Sequence, residues 1–165
     1  MSDKVKRLTT AGVAVAAALI ISYIESLFPL SVAVPGIKLG LANIVIVFVL
    51  YKLDWKYAAA VSLIRVLLAG LLFGSAASMA YAASGAFLAF IVMVLMKKAR
   101  RFSAVGVSCA GAVAHNIGQI LMAMLLLDTA QIAYYLPVLL ISGVLTGIAI
   151  GAVGAILINR IRLKI

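Results

Sequence analysis

Glu25, Lys38, Arg65 and His115 are ionisable residues set within or beside long apolar runs, and any chemistry of this chain starts with them. An isolated charge in hydrocarbon costs ~2.5–3.5 kcal/mol even on a lenient insertion scale, so each needs a partner or a polar cavity. Lys38, Arg65 and His115 could neutralise an anionic group. Glu25 or His115 could instead exchange a proton during transport. Asn43, Asn116 and Gln119 add uncharged hydrogen-bonding groups, and His115 and Gln119, four residues apart, share one helical face.

Each residue also has a plainer reading. Glu25 could snorkel to water or pair with Lys38, and Arg65 could brace neighbouring helices through carbonyl contacts. His115 could be a satisfied bundle histidine, while Asn43, Asn116 and Gln119 could join one helix to another. Their clustering argues more strongly for a site than any one of them does.

The elements that position these residues follow from composition. The chain has 165 residues, of which 67% are hydrophobic and 11% charged, with a mean hydropathy of +1.28. Soluble domains carry roughly 25% charged residues, so most of this surface must face lipid. Apolar runs approaching the ~20 residues of a membrane span recur along it. They cover approximately 8–28, 39–53, 56–73, 76–96, 103–127 and 130–158, the second being short for a full crossing. No linker divides them, so 1–165 reads as a single domain: an all-α membrane protein, about six helices in one bundle. Pro137 is placed to kink the sixth run, and the first continues too far for a cleaved signal peptide.

Charge orients the bundle. Of the 14 Lys and Arg residues, all but Lys38 and Arg65 fall before the first span, between the second and third, between the fourth and fifth, or after the sixth. The positive-inside rule then makes both termini cytoplasmic, with the inner membrane of a prokaryote the expected location. The net charge of +10 is thus explained by topology and not by a nucleic-acid partner. Measured along their helices, Arg65 lies ~14 Å, His115 ~18 Å and Glu25 ~25 Å from where their spans begin. All the polar candidates fall between the midplane and the outer face, which suggests a cavity opening outward.

Several activities lack their residues. No G-x-x-x-x-G-K-[ST] loop is present to cradle phosphates. The only acidic residues are Asp3, Glu25, Asp54 and Asp128, spread over different depths, and Cys109 is the single cysteine. These cannot supply a convergent metal site or a disulfide framework. No nucleophile–base set is visible around Ser22, Ser62 or Ser84, so no cofactor and no enzymatic activity are expected.

Three segments are distinctive: Pro35-Gly36-Ile37-Lys38-Leu39-Gly40-Leu41-Ala42-Asn43, Arg65 to Ser75, and Ala112-Val113-Ala114-His115-Asn116-Ile117-Gly118-Gln119. With the length and hydropathy, they make the chain resemble the Gx transporter family. That family is also labelled heptaprenyl diphosphate synthase component I and is similar to the substrate-binding (S) components of energy-coupling factor transporters. The resemblance covers nearly the whole chain.

What it implies is a six-helix, S-component-like protein that captures a vitamin-like substrate from outside. Such a protein docks on a transmembrane coupling subunit driven by two cytoplasmic ATPases. Small residues on the first helix would form the docking surface, here Ala14 and Ala18; as a small-xxx-small row they could equally serve internal packing. The segment around Lys38 would cover the substrate. The family label further suggests an isoprenoid or quinone precursor, although no aspartate-rich magnesium motif is present. The expected function is therefore substrate binding for an ATP-driven importer, of a small amphipathic and anionic molecule contacting Glu25, Lys38, Asn43, Arg65, His115, Asn116 and Gln119. The alternatives are a solitary proton-coupled carrier and a non-catalytic membrane subunit associated with prenyl diphosphate or quinone synthesis.

Overall fold

The computed structural model describes residues 2–27, 38, 40–161 and 163. The first helix, α1 (Asp3–Leu27), begins five residues before the apolar run, so its first turn extends beyond the expected span. Helix α3 (Trp55–Phe73) is capped by the Asp54 side chain. In α4 (Ala76–Ala99), Ser75 and Ser78 form a reciprocal capping box, and Ser103 caps α5 (Ala104–Leu127). These polar side chains satisfy amide groups that a helix start leaves without intrahelical partners. Arg100 and Asp128 end α4 and α5 in the left-handed conformation.

Two expected spans differ in detail. The run over 39–53 yields only a ten-residue helix, α2 (Asn43–Lys52). At 1.5 Å per residue that covers ~15 Å, about half of a ~30 Å hydrocarbon core. The run over 130–158 divides into a 3-10 segment, Ala130–Tyr135, and α6 (Leu136–Arg160). Pro137 lies in the first turn of α6, where a missing amide hydrogen costs nothing, so it starts the helix and does not kink it. The irregular segment expected before Gly40 lies outside the described residues, apart from Lys38.

Helices α1, α3, α4, α5 and α6 pack in that order, each on the next, and α2 touches α1, α3, α5 and α6. The long helices form an arc with the half-length α2 inside it. Around α2 lies a dry core that includes Ala11, Ala14, Ile46, Val47, Leu50 and Met93. Large apolar side chains such as Leu8, Leu71, Phe87, Leu125 and Val138 point outward. Among the described residues, five helices are long and apolar enough to cross a membrane, and the outward apolar surface makes this a multi-pass membrane protein.

Glycines set the tightest contacts. A Cβ on Gly85 would come within 2.8 Å of the His115 carbonyl oxygen, and one on Gly118 within 2.7 Å of that of Ser84. On the other side of α5, a Cβ on Gly147 or Gly151 would approach the Cα of Cys109 at 2.6 Å or of Val105 at 2.7 Å. α5 is therefore in backbone contact with α4 on one flank and α6 on the other, the close approach that small residues permit in lipid.

Candidate functional site

The buried residues of α1 are Ala11, Ala14, Ala18, Ser22 and Glu25, a stripe at helical spacing. This corrects the docking assignment of Ala14 and Ala18: both are buried inside the chain, and the first packs in the core around α2. Their small size lets α1 approach its neighbours, and the outward face of α1 carries Val13, Ile20 and Ile24 instead.

At the far end of the stripe, Glu25 is buried and does not snorkel to water. Its Oε1 accepts the backbone N–H of Gly40 at 2.6 Å, and the Leu41 amide lies close to the carboxylate. These groups precede the first turn of α2, so Glu25 acts as a capping acceptor supplied by another helix. A carboxylate there also complements the positive end of the helix dipole.

Gly40 has φ +79°, a conformation that glycine adopts without a Cβ clash. A Cβ at that position would meet Asn43 Nδ2 at 3.1 Å and His115 Cδ2 at 3.2 Å. His115 is the twelfth of the 24 residues of α5, so the backbone turns into α2 at about half the height of the bundle. Non-helical backbone at such depth is tolerated where protein buries it or where it lines a cavity.

Around this turn, His115 Nε2 and Gln119 Nε2 are 2.8 Å apart. An amide nitrogen only donates, so Nε2 of the neutral imidazole accepts there and its hydrogen sits on Nδ1, with Nδ1 and Gln119 Oε1 left without a partner among the described residues. Asn116, next in sequence, faces the other way. Its Nδ2 donates to the Leu139 carbonyl at 2.5 Å, tying α5 to α6. Asn116 Nδ2 is therefore engaged in helix packing, while its buried Oδ1 has no hydrogen-bond partner among the described residues.

The second group lies between α1, α3 and α4. Arg65 is 4% exposed and lines a pocket with Ser22, Lys38 and Ser78, walled by Val66 and Met79. The open space measures about 270 Å³ including its mouth, and the enclosed part holds about one water molecule. Lys38 places Nζ 5.8 Å from the centre of the Phe73 ring, which meets Tyr23 edge-on at 5.5 Å. Burial holds the Lys38 ammonium below the usual lysine range, with Glu25 opposing that shift and Arg65 adding to it. Among the described residues no direct ion pair joins Arg65 to Glu25.

Unpaired polar atoms concentrate in these two groups. Ser22 Oγ, Asn43 Nδ2, Arg65 Nε and Nη2, His115 Nδ1, Asn116 Oδ1 and Gln119 Oε1 are buried with no hydrogen-bond partner among the described residues, and all but Asn116 Oδ1 belong to these groups. Native structures leave few such atoms, because each forfeits about 1–3 kcal/mol or more. From sequence Ser22 is weighed only as a nucleophile and not as a binding residue, although its place one turn before Glu25 on the small-residue stripe marks it in retrospect. No group of three or more His, Cys, Asp or Glu residues gathers among the described residues.

A profile of the family described as heptaprenyl diphosphate synthase component I matches residues 14–157. The match spans most of the chain and every polar residue of the two groups, and the chain belongs to that family. Neither a search of curated proteins nor one of solved structures returns a match.

Proposed function

From that membership we propose that the chain is a non-catalytic membrane subunit that captures a small amphipathic substrate from the outer side of a prokaryotic cytoplasmic membrane. The substrate then passes to partners that drive its import, a transmembrane coupling subunit with cytoplasmic ATPases. The carrying observation is the break before α2, where buried polar atoms without partners surround backbone turning at half the height of the bundle. Non-helical backbone at membrane depth that is buried in protein or lines a cavity recurs at transporter substrate sites. The paucity of acidic residues in the chain favours binding over metal-assisted chemistry.

The family description favours a second reading, a membrane subunit that serves a partner component in prenyl diphosphate synthesis. Gentle purification of the full chain from its native membrane, followed by native mass spectrometry, separates the two. Capture predicts a defined small molecule bound to the chain, together with coupling and ATPase subunits. A chain that carries no small molecule and retains a soluble prenyl-transferring enzyme would replace the capture reading with the second.

A further inference from the structure

We propose that the pocket beside Arg65 is a receptor for a carboxylate headgroup, the polar end of an amphipathic ligand; this deepens the capture reading and rests on it. The two unpaired guanidinium nitrogens are Nε and Nη2. They share one edge of the planar group, and their N–H bonds run nearly parallel. That edge is the fork which binds both oxygens of a carboxylate, giving shorter and stronger hydrogen bonds than neutral pairs. A guanidinium that is 4% exposed with this edge unpaired is a built anion site.

Ser22 supplies the next contact. Its hydroxyl is buried, unpaired and part of the same pocket wall, so it can donate to an oxygen held by the fork. Charge narrows the class further. Arg65 and Lys38 bring two positive charges and Glu25 returns one negative, leaving a surplus that a monoanion neutralises. A diphosphate would overshoot it and bury uncompensated charge, at a cost of several kcal/mol. The apolar tail would leave through the mouth, past Val66, Met79 and the Phe73 ring that carries Lys38.

The test uses the full chain in zwitterionic lipid nanodiscs, titrated calorimetrically with hexanoate, hexyl phosphate and hexanol after subtraction of empty nanodiscs. Wild type is expected to bind hexanoate roughly tenfold or more tighter than hexanol, the scale of one charge-assisted hydrogen bond, and hexyl phosphate more weakly than hexanoate. Arg65→Lys keeps the charge but removes the fork, and is expected to lose about tenfold or more for hexanoate alone. Ser22→Ala, which removes one hydroxyl, is expected to lose a few-fold and covers the case in which Arg65→Lys fails to fold. Hexyl phosphate binding as tightly as hexanoate overturns the carboxylate assignment, as does hexanoate binding unchanged in the variants. Hexanol matching hexanoate removes the headgroup receptor while leaving a capture site. A wild type that takes none of the three overturns this proposal, whereas the capture reading itself falls only with the native mass spectrometry.

Discussion

The two ends of α2 perform the same task in different surroundings. At the end near the basic loops, Lys97 donates from Nζ to the Leu50 carbonyl and lies 5.1 Å from the Tyr51 ring centre. At the other end, Glu25 accepts from Gly40. Cation at the C-terminus and carboxylate at the N-terminus both complement the helix dipole. Around Lys97 the helix sits in a close-packed apolar core, whereas unpaired polar atoms of Asn43, Gln119, Arg65 and Ser22 gather on the Glu25 side. A short helix in a bundle thus needs a charged cap at each end, but only one end is left with polar groups in want of a ligand. Capping accounts for Lys97 completely and for Glu25 only in part.

Substitutions can break this contrast, the largest effect being expected at Glu25. Glu25→Ala strands the Gly40 amide and leaves Arg65 without its compensating charge, so it should cost about 3–5 kcal/mol in denaturant unfolding in micelles. Unfolding unchanged from wild type would mean that the carboxylate does not hold α2. Gly40→Ala forces a side chain into a left-handed backbone against His115 and Asn43, for an expected loss of about 1–3 kcal/mol in the same assay. At the opposite end, Lys97→Met should lower stability by about 1 kcal/mol or less and leave ligand affinity as it was. A clear loss of affinity there would erase the distinction between the ends.

Two smaller effects sharpen it. Asn116→Ala should cost about 0.6 kcal/mol, typical of a hydrogen bond between membrane helices, with hexanoate affinity unchanged. Lys38 carries a depressed pKa, so its charge is present at low pH and lost as pH rises through that lowered value. Affinity for an anion should accordingly decline at a lower pH than for an ordinary lysine. Lys38→Arg, titrated over the same range, should abolish the decline.

The long apolar helices were legible in the residues, because the lengths of the apolar runs report them directly. Direction around each helix was less so. His115 and Asn116 are neighbours in sequence at the same height, yet one turns towards Gly40 and the other towards α6. A helix rotates about 100° per residue, and without knowledge of which neighbour packs where, height alone groups them together. The same gap placed Ala14 and Ala18 on an outer surface, since a row of small residues fits lipid, a partner or another helix of the same chain equally well. Glu25 was read from its depth, but its acceptor role depends on Gly40, fifteen residues away, a pairing that no periodicity encodes. The shortness of α2 was visible in the run itself; that its start lies beside His115 was not.

The backbone contacts on both flanks of α5 have a mechanical consequence. Gly85 and Gly118 on one side and Gly147 and Gly151 on the other bring backbones together with no room for a layer of large side chains to slide or re-pack. Packed interfaces of this kind shift between discrete arrangements and do not deform continuously. Helices α4, α5 and α6 therefore behave as a stator. Any widening of the Arg65 pocket to admit a whole ligand falls to α1, α2 and α3, which touch one another less extensively than α5 touches its two neighbours. A spin-label pair spanning α1 and α4 should report that displacement, and one spanning α5 and α6 should stay silent.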